Sequence, residues 1–474
     1  MKDMRDWIET CEKEGELKRI KTQVDWNLEI AHIATFNEIK RGPALFFEDV
    51  KGYDIPVLAS ALTTPKRLAI TLGMPSSYSM CNMSREWMKT ITKGLVKPVE
   101  VRDGPVMEEV VEGGKVNLFD FPAPLLYPQD GGRFIGTTGF LVTEDPESGW
   151  TNLGTYRMQI LDNNHAGVQI IKGKHADFMM KKYEKMGKMM PAAAVIGSDP
   201  INFLVSSTLI SAETDEYDII GALRGEPVEI FKSDMTGLKL PANAEIILEG
   251  EIDPVNFMPE GPLGEYTGYY SGKAKWGLPK PCLAVKRILR RKKPIFWMTT
   301  VGKPIGDIHM IQSLNRTATL WTDLEMMRVP GVQSVYIPPE STGRFWAMVS
   351  VKTMYPGHSN HVGNAVISTT TGHYGLKGVI VVDADIPADD IGAVLWSLAV
   401  RYNPVQDTEI IKRGRSTPLD PSLPIDARDI VSRIIMDATI PYEWKEKPIE
   451  VKPDEEMKRH VLSRWQEYGF TEPY

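Results

Sequence analysis

Apolar residues recur at helical spacing over residues 3–18, where Met4, Trp7, Ile8, Cys11 and Leu17 share one face and charges fill the other. The pattern then predicts a strand over 20–24, a second helix over 27–40 carrying Ile30, Ile33 and Phe36, and a buried strand over 43–47 ended by Lys51-Gly52. A short strand over 56–61 and a helix over 66–71 follow. This alternation predicts an N-terminal α/β domain, assigned to residues 1–115.

From 116 the pattern changes. Runs of β-formers at 135–143, 154–161, 168–172, 193–196, 203–205, 228–232, 245–248 and 282–289 are separated by turn residues, with a few helices inserted, one of them over 176–188. Short strands at this spacing predict a β-barrel or sandwich over 116–305. Helical and apolar-strand patterns return over 306–452, with a helix at 313–327, strands at 332–337 and 346–351, and a buried strand at 379–385 before a helix at 389–401. Asp383 and Asp385 close that strand, where acids more often cap or pair than hold a metal. A proline-rich linker leads into a charged helix at 453–465, within a tail of 453–474, placed to reach a neighbouring subunit.

Composition narrows the function classes. The chain is 42% apolar and 25% charged with a net charge of −7, which gives no basic footprint for nucleic acid. The basic runs at 286–287 and 290–293 read as solvated strand ends. Three cysteines, far apart, fit a reducing cytoplasm and exclude a Cys-rich zinc site. No run of about 18 apolar residues exists, so no membrane span is expected.

The chemistry concentrates in Glu260-Gly261-Pro262-Leu263-Gly264-Glu265, followed by Tyr266-Thr267-Gly268-Tyr269-Tyr270. Two acids separated by two glycines and a proline suit a tight turn that brings both carboxylates to one pocket. The alternative is a solvated surface turn. Flanking tyrosines weaken that alternative, because desolvation raises a carboxyl pKa towards a general acid's range. Asn152-Leu153-Gly154-Thr155-Tyr156-Arg157 offers an amide oxygen and a guanidinium fork suited to a carboxylate. His175 stands where a strand gives way to a helix, and Ser206-Ser207-Thr208 ends an apolar run with hydroxyls. Glu229 lies between apolar neighbours and needs a partner if buried. Asn152, His175 and Glu229 form an O/N/O set suited to Mn²⁺ or Mg²⁺ holding a phosphate, although 23 and 54 residues separate them.

These residues carry a family resemblance that runs nearly end to end. The sequence resembles the UbiD family of reversible aromatic and α,β-unsaturated acid decarboxylases, which use prenylated FMN. The similarity includes Asp6-Trp7 with Glu14-Gly15-Glu16-Leu17, residues 43–52, 119–124 and 381–386, and Leu395-Trp396. Its most specific part is Arg157 in Asn-x-x-x-x-Arg, with Glu260 and Glu265 in Glu-Gly-Pro-x-Gly-Glu. The resemblance implies that the central region is a split β-barrel flavin-binding domain and that Arg157, Glu260 and Glu265 are catalytic. It implies metal ligands at Asn152, His175 and Glu229, with K⁺ as a further ion. It also implies cofactor contacts at Asn152, Thr155, Tyr156, Arg157, Lys174, His175, Ser206, Ser207, Thr208 and Glu229. A flavin prenyltransferase as cofactor supplier, and a homo-oligomer (dimer or hexamer) built through the C-terminal region, are implied in the same way.

Within the family the chain is most similar to the non-oxidative hydroxyarylic acid decarboxylases, through residues 152–157, 264–272 and 437–441. It departs from them at Lys174, where many members have glutamine, and over 299–310 with His309. The implied activity is reversible decarboxylation of a hydroxybenzoate-type acid, with Arg157 clamping the carboxylate and Glu265 moving the proton. Carboxylation of a non-hydroxylated or polycyclic arene is the nearest alternative. An FMN-dependent oxidoreductase gives no reason for two acids beside an arginine, and a non-enzymatic scaffold would make all three residues a structural ion-pair network.

Overall fold

The computed structural model describes residues 1–270, 277–303 and 305–470; Ser271 and Gly272 of the 264–272 motif lie outside these. The opening helix Met4–Lys13 starts where Asp3 accepts hydrogen bonds from the N–H groups of Arg5 and Asp6, and it buries Met4, Trp7, Ile8 and Cys11. It packs beside a four-stranded sheet ordered Leu17–Ile20, Ala44–Phe47, Val57–Ala59 and Phe296–Trp297. The last of these strands comes from the far end of the central region. A helix at Met80–Lys93 completes this part of the chain.

The central sheet has nine strands. Its main path runs Phe134–Gly136, Met158–Ile160, His165–Val168, Cys282–Arg290, Ile246–Ile252, Met190–Ile196, Phe140–Glu144 and Thr151–Gly154, while Glu109–Glu112 pairs alongside Cys282–Arg290. Chain geometry dictates how this sheet must bend. Phe134–Gly136 and Phe140–Glu144 stand six strand spacings apart, roughly 29 Å across a flat sheet. Only residues 137–139 connect them, and that link spans at most about 15 Å. The same mismatch holds between Thr151–Gly154 and Met158–Ile160, joined by residues 155–157. The sheet therefore curls into a half-barrel whose two sides meet at a seam crossed by both links. Gly250 marks a register shift in the curl, where a Cβ would lie 1.9 Å from the Ala284 carbonyl oxygen.

Three sequence expectations change here. Residues 135–143 and 154–161 are each two strands split at the seam rather than one. Residues 203–205 lie in the helix Pro200–Ser206, because Asp199 caps it through the Ile201 N–H and Pro200 fixes its first turn, outweighing β-propensity. Arg287 and Arg291 are not solvated strand ends: they are buried and paired with Glu249 at 2.8 Å and Asp3 at 2.8 Å.

The C-terminal sheet runs Val332–Tyr336, Trp346–Val351, Gly378–Asp383, Ile430–Ala438 and Thr408–Arg415. Helices Asp307–Met326, His358–Ser368 and Ile391–Arg401 belong to the same region. Arg401 pairs with Asp383 at 3.1 Å and Asp385 at 2.7 Å, so those acids are ion-paired as the sequence suggested. No helix among the described residues is long and apolar enough to cross a membrane.

Candidate active site at the barrel seam

Arg157 ends the link that crosses the seam, and both acids of the 260–265 loop reach it. Its Nε donates to Glu260 Oε1 at 2.9 Å and Nη2 to Oε2 at 3.2 Å, a two-point fork, while Nη1 donates to Glu265 Oε1 at 2.8 Å. Glu260 is buried and Glu265 nearly so. Burial alone would lower the Arg157 pKa, but Glu265 and Glu260 outweigh it and raise it. The group is a permanent cation held between two acids.

The loop is fastened from several sides. Gly261 N–H donates to Gln159 Oε1 at 2.5 Å, on the strand that follows Arg157. Gly131 N–H donates to the Pro262 carbonyl at 2.7 Å, and Asp130 accepts from Gly264 N–H at 3.1 Å and from the Tyr270 hydroxyl at 2.9 Å. Gly131 must be glycine, since a Cβ there would lie 2.1 Å from the Gly261 carbonyl oxygen. The Asp130-Gly131 turn is thus a clamp on the 260–265 loop. The three tyrosines do not shield the acids together. Tyr266 is buried, Tyr270 is engaged by Asp130, and Tyr269 is exposed. A cavity of about 470 Å³ borders Glu265, lined also by Tyr127, Tyr270, Glu38 and Thr300.

His309 supports this arrangement from the helix Asp307–Met326. Its Nδ1 accepts from Gly306 N–H at 2.9 Å, so Nε2 carries the proton and donates to the Tyr266 carbonyl at 2.6 Å. Burial pushes its pKa down to about 4, so the imidazole is neutral and anchors the residue next to Glu265.

The remaining predicted contacts gather beside the seam. Thr155 Oγ1 lies 2.9 Å from Ser206 Oγ and 3.0 Å from Ser207 Oγ, and Thr155 N–H donates to the Ser206 carbonyl at 3.3 Å. Thr208 donates to the Leu204 carbonyl within the same helix end, and Tyr156 is buried in the link. His175 opens the helix His175–Lys185, and its Nδ1 lies 3.0 Å from Asn152 Oδ1. Burial, then Lys174, lowers the His175 pKa, leaving the neutral ring that a metal requires. Lys174 is exposed, yet crowding by protein atoms and then the like charges of Arg316 and Arg344 push its ammonium down to about 8.

Glu229 is not at this corner. It accepts from Asn243 Nδ2 at 2.8 Å and faces a different cavity, beside Asp199 and Arg224, from the three-stranded sheet that holds Glu229–Lys232. The carboxylate that reaches the corner belongs to Glu216, which opens the helix Glu216–Arg224 and accepts from Leu153 N–H at 3.0 Å. Glu216 is buried; burial, with Asp215 adding to it, pushes its carboxyl up to about 8 against the Leu153 hydrogen bond. A buried carboxylate with no cation beside it among the described residues fits a metal ligand. Among the described residues no three His, Cys, Asp or Glu cluster as a metal site; beside His175 and Glu216, the corner offers the Asn152 amide oxygen. Spacing could not separate Glu216 from Glu229. The helix start signalled by Asp215 could have pointed to Glu216.

Three family models cover the chain in order. The N-terminal, Rift-related and C-terminal domains of 3-octaprenyl-4-hydroxybenzoate carboxy-lyase (UbiD) match residues 8–87, 97–304 and 309–438. The chain belongs to the UbiD family. It is similar to the UbiD-class enzyme HmfF from Pelotomaculum thermopropionicum in complex with FMN, at 27% identity over 98% of this chain and 100% of that one, with a TM-score of 0.88. It is similar to the vanillic acid decarboxylase of Sedimentibacter hydroxybenzoicus in an open form, at 31% identity over 98% and 99%, TM-score 0.89. An evolved dimeric HmfF in complex with prFMN matches at 27% identity over 95% and 99%, TM-score 0.82. UbiD members are carboxy-lyases, and this chain is one by family.

The corner formed by Asn152, His175 and Glu216 in this UbiD protein gives a direct prediction if it is the metal site. Glu216→Gln should weaken Mn²⁺ binding at least roughly tenfold, while Glu229→Gln leaves it unchanged, measured by metal content after desalting. Loss in Glu229→Gln with retention in Glu216→Gln would return Glu229 to the ligand set.

Proposed function

We propose that this protein catalyses reversible, non-oxidative decarboxylation of an aromatic carboxylic acid of the hydroxybenzoate type, with prenylated FMN as cofactor. The observation that carries this reading is the single guanidinium of Arg157 held between Glu260 and Glu265. A structural ion pair needs one acid; a site that binds a carboxylate and delivers a proton needs the second. Likeness to a vanillic acid decarboxylase and to HmfF bound to FMN or prFMN supports the same class.

When bound, prenylated FMN supplies the electron sink that an aryl carbanion lacks in water. The chain's own residues do the rest. Glu260 keeps the Arg157 fork fixed through two hydrogen bonds. The Nη1 edge now given to Glu265 is the edge a substrate carboxylate can take. Protonation of Glu265 removes its claim on that edge, so the proton needed for the product carbon and room for the substrate arrive together. Run in reverse, Glu265 takes the proton from the ring and CO₂ adds. Asn152, His175 and Glu216 would hold Mn²⁺ or Mg²⁺ against the cofactor phosphate, with K⁺ as a further ion, and Thr155, Ser206, Ser207 and Thr208 offer a polar shelf beside it. The terminal helix Glu455–Ser463 buries none of its residues on its own chain, in keeping with a homo-oligomer in which it docks on a partner.

The test is ¹³C-bicarbonate exchange into a panel of aromatic acids, using protein co-produced with a flavin prenyltransferase and kept anaerobic. Label entering a hydroxybenzoate supports the reading. Label confined to non-hydroxylated or polycyclic acids would replace the substrate class, and label in none, with prenylated FMN bound, would refute the activity.

A further inference from the structure

A second cationic group stands next to the catalytic loop, and nothing among the described residues neutralises it. Arg316 lies two turns after His309 on the helix Asp307–Met326, hence on the same face, and His309 is hydrogen-bonded to the Tyr266 carbonyl. Arg344 stacks its guanidinium 5.9 Å from the Tyr266 ring and 5.3 Å from that of Tyr374. Arg316 responds to Arg344, Tyr266 and Tyr374, which places all four in one neighbourhood. Burial and then Arg344 push the Arg316 guanidinium down to about 9. Among the described residues neither arginine makes an ion pair. Two buried donors here lack any hydrogen-bond partner: the Tyr266 hydroxyl, on a side chain only 7% exposed, and Arg344 Nε. Donors and positive charge without an acceptor describe a site for an anion.

We propose that Arg316, Arg344 and the Tyr266 hydroxyl form a subsite for a second carboxylate on the substrate, so that the preferred hydroxybenzoate-type acid is a dicarboxylate. Tyr266 directly follows Glu265, which puts the subsite beside the proton donor, while Arg157 already serves the carboxylate that is lost. Leaving two like-charged, crowded guanidiniums unneutralised is unfavourable, and a doubly anionic substrate removes that penalty where a monoacid cannot. The inference rests on the decarboxylase reading above. Its rival is the cofactor phosphate, because Lys174 lies within electrostatic reach of both arginines.

The experiment compares 4-hydroxybenzoate with 4-hydroxybenzene-1,3-dicarboxylate, and benzoate with 1,3-benzenedicarboxylate, on the holoenzyme, reading ¹³C exchange and, separately, equilibrium binding by calorimetry. A dicarboxylate should be favoured by roughly 10–100-fold, and Arg316→Gln or Arg344→Gln should bring it down to the monoacid level, mainly through KM and Kd. Flavin content and melting temperature should stay unchanged in both variants. Equal treatment of mono- and dicarboxylates by the unaltered protein overturns the proposal. Loss of flavin in Arg316→Gln with discrimination intact also overturns it and assigns the cation pair to the cofactor phosphate. If no acid exchanges label, the activity reading fails, and the calorimetric preference with its loss in the variants still decides the subsite.

Discussion

Glu265→Gln should lower label exchange by roughly 10²–10⁴-fold, the range set by removing a positioned general acid. The amide keeps the size of the side chain and can still accept from Arg157 Nη1, so the loop geometry persists. Glu265 N–H remains bonded to the Tyr269 carbonyl, and the Asp130 clamp on Gly264 is untouched. Flavin content and melting temperature should therefore match the unaltered protein while turnover is lost. Exchange within about threefold of normal would exclude Glu265 as the essential acid, on the scale of general-acid effects. The neighbouring Glu260→Gln separates roles. It leaves a fork-compatible oxygen but removes the charge that fixes Arg157, so it should weaken substrate binding more than the proton step.

Arg157→Ala has the largest expected effect on folding as well as on activity. It leaves the Glu260 carboxylate, whose side chain is fully buried, without its guanidinium. Breaking a buried pair from one side costs roughly 3–5 kcal/mol, and Lys280, which senses Glu260 electrostatically, brings the loss towards the lower end. Two further variants separate stability from chemistry. Adding Glu260→Gln to Arg157→Ala should recover much of the melting temperature and none of the activity. Arg157→Lys keeps a cation but loses the planar fork, so it should retain the fold and lose turnover with a raised KM. Denaturant unfolding and saturation kinetics on the four proteins check this. Unimpaired kcat/KM in Arg157→Lys would mean that the fork does not bind the substrate.

What could be read without the structure was local. The acids at 260 and 265, the glycines that let their loop turn, and the Asn152–Arg157 segment are each recognisable within a few residues, because turn chemistry and side-chain type are properties of short stretches. A helix with a clear apolar face, Met4–Lys13, was also legible for that reason. Strand breaks at residues 137–139 and 155–157 were not. A period-two pattern shows that a residue faces the core, but it does not show which strand lies beside it. Only the curl of the sheet, forced by two three-residue links between strands six spacings apart, reveals that the seam exists.

The proposed metal corner shows the same limit. Glu229 and Glu216 are both acids downstream of His175, and Glu229 sits on the more conspicuous apolar run. The structure sends Glu229 into a separate sheet beside Asn243 and brings Glu216 to Leu153. Arg316, on the helix that carries His309, and Arg344, beyond the end of that helix, come near Tyr266 only through tertiary packing. The sequence by itself determined which groups are available, since charge, hydrogen-bonding capacity and turn formation belong to each residue. Tertiary structure decided which of them meet and which remain unneutralised, because long-range partners are selected by packing of the whole chain and no local pattern encodes that choice.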